Sequence, residues 1–94
     1  MGVNMAEISK HEFRKYCEMQ IKLKVAYCCL CNKPIYKVKD YNIEHLTPLS
    51  RSGRDDVSNW RIAHKDCNSK KGALTFEEYK QWLQLEAKRH GHCK

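Results

Sequence analysis

Apolar positions recur with a helical period at both ends of the chain and as short runs in its middle. Ser9 and Glu12 stand at capping-box spacing, and Phe13, Tyr16, Cys17, Gln20, Ile21 and Lys24 then fall on one face of a helix. This predicts a helix over about 10–25, with Cys17 on it as a buried thiol. Thr75 and Glu78 repeat the spacing and open a second helix over about 76–88. Its apolar stripe is Phe76, Tyr79, Trp82 and Leu83, which we assign to the core. Between them, Ile35–Val38, Tyr41–Leu46 and Trp60–Ala63 read as short strands. Ser50-Arg51-Ser52-Gly53-Arg54-Asp55-Asp56 is a polar loop with no apolar anchor. A short helix carrying Cys67, Asn68 and Lys70 follows, with Gly72 as its C-cap. Residues 1–8 carry no periodic signal, and the tail Arg89-His90-Gly91-His92-Cys93-Lys94 is expected to be disordered.

The chain has 94 residues, enough for one domain but too few for two independent cores. A chain this short buries a limited apolar area, so a covalent or metal staple is expected. Its 6 cysteines offer either. No apolar h-region follows Met1, and no run approaches the ~20 apolar residues of a membrane span. The reading is therefore cytoplasmic, where metal ligation is the better use for cysteine than a disulfide framework.

Cys28-x-x-Cys31 and His64-x-x-Cys67 are matched pairs with 32 residues between them. Zinc takes four such ligands in a tetrahedron, supplied from two turns. Cys29 could replace Cys28 only through a less usual one-residue spacing. A single Cys-x-x-Cys can be a redox pair, but two half-sites in a chain needing a staple point to one structural zinc. Such a site has no open position and does no chemistry itself.

Within this clamp lie Glu44-His45-x-x-Pro48, then Asn59 after ten residues, then Cys67-Asn68-x-Lys70-Lys71-Gly72. Here the chain resembles the HNH endonuclease family, over roughly residues 27–72. The resemblance implies an α+β fold: a small ββα-metal core (the HNH or His-Me finger unit) with a structural zinc site and flanking N- and C-terminal helices. It implies cleavage of DNA phosphodiesters to 5′-phosphate and 3′-hydroxyl ends. It also implies that Asn59 orients the active loop and His45. The chain departs from the commoner family pattern in having Glu44 for Asp, Asn68 for His, and His64 for Cys.

The chemistry fits the same residues. His45 is the natural general base, since imidazole titrates near working pH. Glu44 and Asn68 offer oxygen ligands for one hard catalytic cation, magnesium or manganese. Glu44 and His45 would face opposite sides of a regular strand, so they must sit at a strand end. The net charge is +7, divided as +2, +4 and +1 over residues 1–26, 27–72 and 73–94. The excess is greatest around the motif, which suits a polyanion. Arg51, Arg54, Lys70 and Lys71 are candidate phosphate contacts.

The expectation is a nicking endonuclease of low sequence specificity, acting on double-stranded DNA as a monomer or weak dimer, bacterial or phage-encoded. Its rivals are a non-catalytic zinc module that binds nucleic acid and an accessory subunit docking on protein through Trp60 or Trp82.

Overall fold

Both capping boxes form in the computed structural model, which describes residues 8–89. The expected loose ends, residues 1–8 and 89–94, lie outside the described residues except at Ile8, which packs against the core, and Arg89, which ends the last helix. At the first box the Glu12 N–H donates to Ser9 Oγ at 3.1 Å, and the Ser9 N–H donates to Glu12 Oε1 at 2.9 Å. Helix α1 (Lys10–Lys22) follows. It stops short of Val25 because Lys24 turns into the left-handed region at φ +63°. The Lys24 N–H then donates to the Ile21 carbonyl and the Val25 N–H to the Gln20 carbonyl, a Schellman closure. Glycine usually marks that position, so lysine there concealed the stop. Cys17 is buried as expected, with Ile21 beside it, but Tyr16 stays mostly exposed.

Residues 26–35 fold back as a knuckle. The Cys28 N–H donates to the Lys33 carbonyl at 2.9 Å and the Ile35 N–H to the Ala26 carbonyl at 2.9 Å. Asn32 takes the left-handed turn at φ +61°, which asparagine tolerates. The strand expected at Ile35–Val38 is absent. Only a single bridge, Tyr27 to Pro34, forms there, and Val38–Asp40 is a 3-10 turn. Ile35 is buried in the core but Tyr36 is 76% exposed, and among the described residues no strand edge lies beside this run for it to join.

The sheet is one antiparallel hairpin, β1 (Tyr41–His45) and β2 (Trp60–His64). Its register pairs Tyr41 with His64, Ile43 with Ile62 and His45 with Trp60. Helix α2 (Lys65–Lys71) leaves β2 directly and packs against both strands, giving the ββα unit. Gly72 ends it at φ +55°. The Thr75–Glu78 capping box then starts α3 (Phe76–Arg89). The Phe76 N–H donates to the Leu46 carbonyl at 2.8 Å, tying this helix to the end of β1.

The core gathers Ile21, Ile35, Ile43, Trp60 and Tyr79, with Phe13 packed on Trp60 at 5.5 Å between ring centroids. The α3 stripe is core only in its first half. Tyr79 is buried and Phe76 partly so, but Trp82 and Leu83 are 43% and 36% exposed. Trp82 stacks on the outer side of Tyr79 instead. Among the described residues no helix is long and apolar enough to cross a membrane.

Candidate active site and metal centre

The knuckle and the start of α2 bring four ligands together. One ligand atom from each of Cys28, Cys31, His64 and Cys67 lies within 4.8 Å of all the others. His64 Nδ1 is 3.3 Å from Cys31 Sγ and 3.9 Å from Cys67 Sγ. In a tetrahedral zinc site sulfur and nitrogen ligands stand about 3.6 Å apart, so the cluster fits the ion. His64 Nε2 lies 3.1 Å from the Pro34 carbonyl, which can only accept. Nε2 therefore carries the proton, and the lone pair of Nδ1 faces the thiols, the usual tautomer of a metal-bound histidine.

The thiols respond to their surroundings in opposite directions. Burial pushes Cys28 up, but N–H donors from His64, Cys31 and Leu30 outweigh it and bring the thiol down to about 7. Burial, and then the charge of Cys28, push Cys67 up to about 12. Three sulfurs packed together cannot all ionise without a cation among them, and a dication removes that conflict. Cys29 stands outside the cluster. Burial, then Cys28 and Glu44, raise its thiol to about 12. Its backbone N–H donates to the Ile62 carbonyl at 3.0 Å, so this residue fastens the knuckle to β2.

Toward the other end of the hairpin, Glu44, His45 and Asn68 line one small pocket of about 220 Å³, with Pro48, Leu49, Lys71 and Gly72. The opposed facing of neighbouring strand residues is overcome as expected, since His45 is the last residue of β1. His45 Nε2 is 3.0 Å from Asp55 Oδ1, which also accepts from Trp60 Nε1 at 3.0 Å. Lys10 Nζ adds an ion pair at 3.1 Å. These partners, His45 foremost, hold the Asp55 carboxyl down to about 2. Its contribution to folding is therefore complete above the ordinary value of 3.8 and is lost as the pH falls toward about 2. A carboxylate only accepts, so it fixes the His45 proton on Nε2 and leaves Nδ1 as the basic nitrogen.

Glu44 is 1% exposed, and neither of its carboxylate oxygens accepts a hydrogen bond. Lys71 Nζ lies 2.6 Å from Oε2, an ion pair whose approach falls outside hydrogen-bond geometry. A buried carboxylate this poorly satisfied, beside the amide of Asn68, suits a hard divalent cation.

Asn59 reaches no part of this pocket. Its Oδ1 accepts from the Thr47 N–H at 2.9 Å, and its Nδ2 donates to the Thr47 and Arg54 carbonyls, each at 2.8 Å. It pins both arms of the loop that follows β1. Gly53 makes that loop possible, because a Cβ there would stand 1.9 Å from the Thr47 carbonyl oxygen and 2.8 Å from that of Pro48. Both obstacles are backbone and cannot swing aside. Gly53→Ala should therefore lower the stability of the zinc-loaded protein by about 1–3 kcal/mol, read from its thermal unfolding, with zinc content unchanged.

The basic residues divide. Lys70 is exposed. Arg54 is exposed and pairs with Asp56 at 2.8 Å, and Arg51 forks onto both carboxylate oxygens of Glu78 on α3. Lys71 requires a correction. It is 2% exposed, paired with Glu44 and donating to the His45 carbonyl at 3.0 Å, so it is no outward phosphate contact. Its place was readable, because residues three apart share a helix face and Asn68 was already assigned inward. Asp55 left no such signal: within a run of polar residues it resembles any solvated charge.

The family model for HNH endonuclease matches residues 28–74, half of the chain. Comparison with curated proteins returns no match. The matched span runs from the first cluster cysteine, through the hairpin and pocket, to just beyond α2. With that span and the ββα unit in agreement, the chain belongs to the HNH endonuclease family.

Proposed function

We propose that this protein is a metal-dependent endonuclease that nicks double-stranded DNA with little sequence preference, with His45 as general base. The observation that carries the reading is the meeting of Glu44, His45 and Asn68 in one pocket. Glu44 and Asn68 would hold the catalytic cation, magnesium or manganese, which when bound polarises the phosphate as a Lewis acid. His45 Nδ1 takes a proton from water as that oxygen bonds to phosphorus. The bond to the 3′ oxygen breaks with its electron pair, and the alkoxide is protonated from solvent. The products are a 5′-phosphate and a 3′-hydroxyl. Asp55 keeps the imidazole in the useful tautomer, and Asn59 holds the loop beside it. Lys70, Arg51 and Arg54 are proposed to meet backbone phosphates, which predicts salt-sensitive and sequence-tolerant binding.

Zinc-loaded protein should relax supercoiled plasmid in magnesium or manganese. It should do nothing when that ion is omitted, a better control than a chelator, which would also strip the cluster. Glu44→Gln should lose the activity while keeping its zinc. Relaxed circles should precede linear DNA, because one active site cuts one strand. Plasmid left intact by folded, zinc-loaded wild type in both metals defeats the proposal.

A further inference from the structure

The reaction as written makes no use of Lys71, yet Lys71 is among the most deeply buried residues of the chain. Its ammonium, 2% exposed, sits 2.6 Å from Glu44 Oε2 and donates to the His45 carbonyl at 3.0 Å. Burying a lysine is costly unless its charge is matched, and among the described residues Glu44 is the only acidic one lining this pocket. Among the described residues Glu44 in turn has no hydrogen-bond partner, and Lys71 is the cation paired with it. The two charges thus neutralise each other where the catalytic ion is proposed to bind.

We propose that Lys71 is a resident counter-ion that occupies the carboxylate of Glu44 in the metal-free protein and must be displaced when a divalent cation binds. This rests on the reading of Glu44 as a metal ligand. The ammonium keeps the pocket formed before metal arrives. It also weakens metal binding, because a dication has to take over Oε2 against a like charge a few ångströms away. Metal affinity is therefore set by a residue that never ligates the metal.

The test is titration of zinc-loaded full-length protein with Mn²⁺, followed by calorimetry and by the spin resonance of free manganese. Manganese suits the purpose because it competes poorly for thiolates. Lys71→Met should bind Mn²⁺ about tenfold tighter than wild type or better, and Glu44→Gln should lose that binding. Glu44-dependent binding that is unchanged or weaker in folded Lys71→Met overturns this proposal and spares the metal site. Weaker DNA binding by that variant, with Mn²⁺ affinity unchanged, identifies Lys71 as a phosphate ligand instead and also overturns it. No Glu44-dependent binding in wild type overturns both readings.

Lys71→Met leaves Glu44 buried without a partner and can fail to fold, so a wild-type measurement stands beside it. Reductive methylation followed by mass spectrometry reads the accessibility of each lysine, with exposed Lys70 as the internal reference. Lys71 should resist labelling without metal and become reactive at saturating Mn²⁺. Unchanged protection at saturation overturns the displacement.

Discussion

Cys28→Ser, Cys67→Ser and removal of zinc by a strong chelator are each expected to unfold the ββα unit, with loss of far-ultraviolet ellipticity at ambient temperature. Structural zinc contributes about 10–16 kcal/mol to folding in small metal-binding units, and a whole domain is stable by only about 5–15 kcal/mol. The apolar core is too small to make up the difference, since among the described residues α1 buries only Cys17 and Ile21 fully and α3 only Tyr79. The cluster joins the knuckle to the start of α2, so its loss releases both from the hairpin. Cys29→Ser is the control. Its sulfur lies outside the cluster, so the variant should retain one zinc per chain and its fold. Retention of structure by metal-free protein, or loss of zinc from Cys29→Ser, would contradict this assignment.

The second large effect is expected at His45. Replacing it with alanine should lower the nicking rate by about 10²–10⁴, the range supplied by a positioned general base, or about 3–5 kcal/mol in the barrier. Zinc content and plasmid binding should be unchanged, because the side chain touches neither the cluster nor the exposed basic residues. Asp55 would lose one partner but keep Trp60 Nε1 and Lys10, so the loop should hold. Equal cutting by both proteins would remove His45 from the mechanism. Loss of plasmid binding along with cutting would make it a binding residue rather than a base.

What could be read from the sequence was what depends on local spacing. Capping boxes need only two side chains at a fixed offset, and both were found. The cluster ligands needed only matched pairs, and the two strands of the sheet were legible as short apolar runs, though not their pairing with each other. What could not be read depended on partners distant in sequence. Ile35–Val38 has the composition of a strand but no neighbouring edge, and Trp82 follows a helical stripe past the end of the surface it could cover. Asp55 gains its role from His45, Trp60 and Lys10 together, none of them adjacent to it in the chain. Lys71 lay between these cases: its helix face was inferable, but not that a buried carboxylate would wait opposite.

The hydrogen bond from the Cys29 N–H to the Ile62 carbonyl bears on more than the knuckle. A hairpin of two strands has two unpaired edges, and open edges recruit other chains. On β2 the knuckle covers one such group, in the apolar stretch Trp60–Ala63. Zinc bound at the cluster would keep this cover in place. Loss of zinc would thus leave an adhesive chain as well as an unfolded one, and the metal supply would decide whether this protein stays dispersed or aggregates.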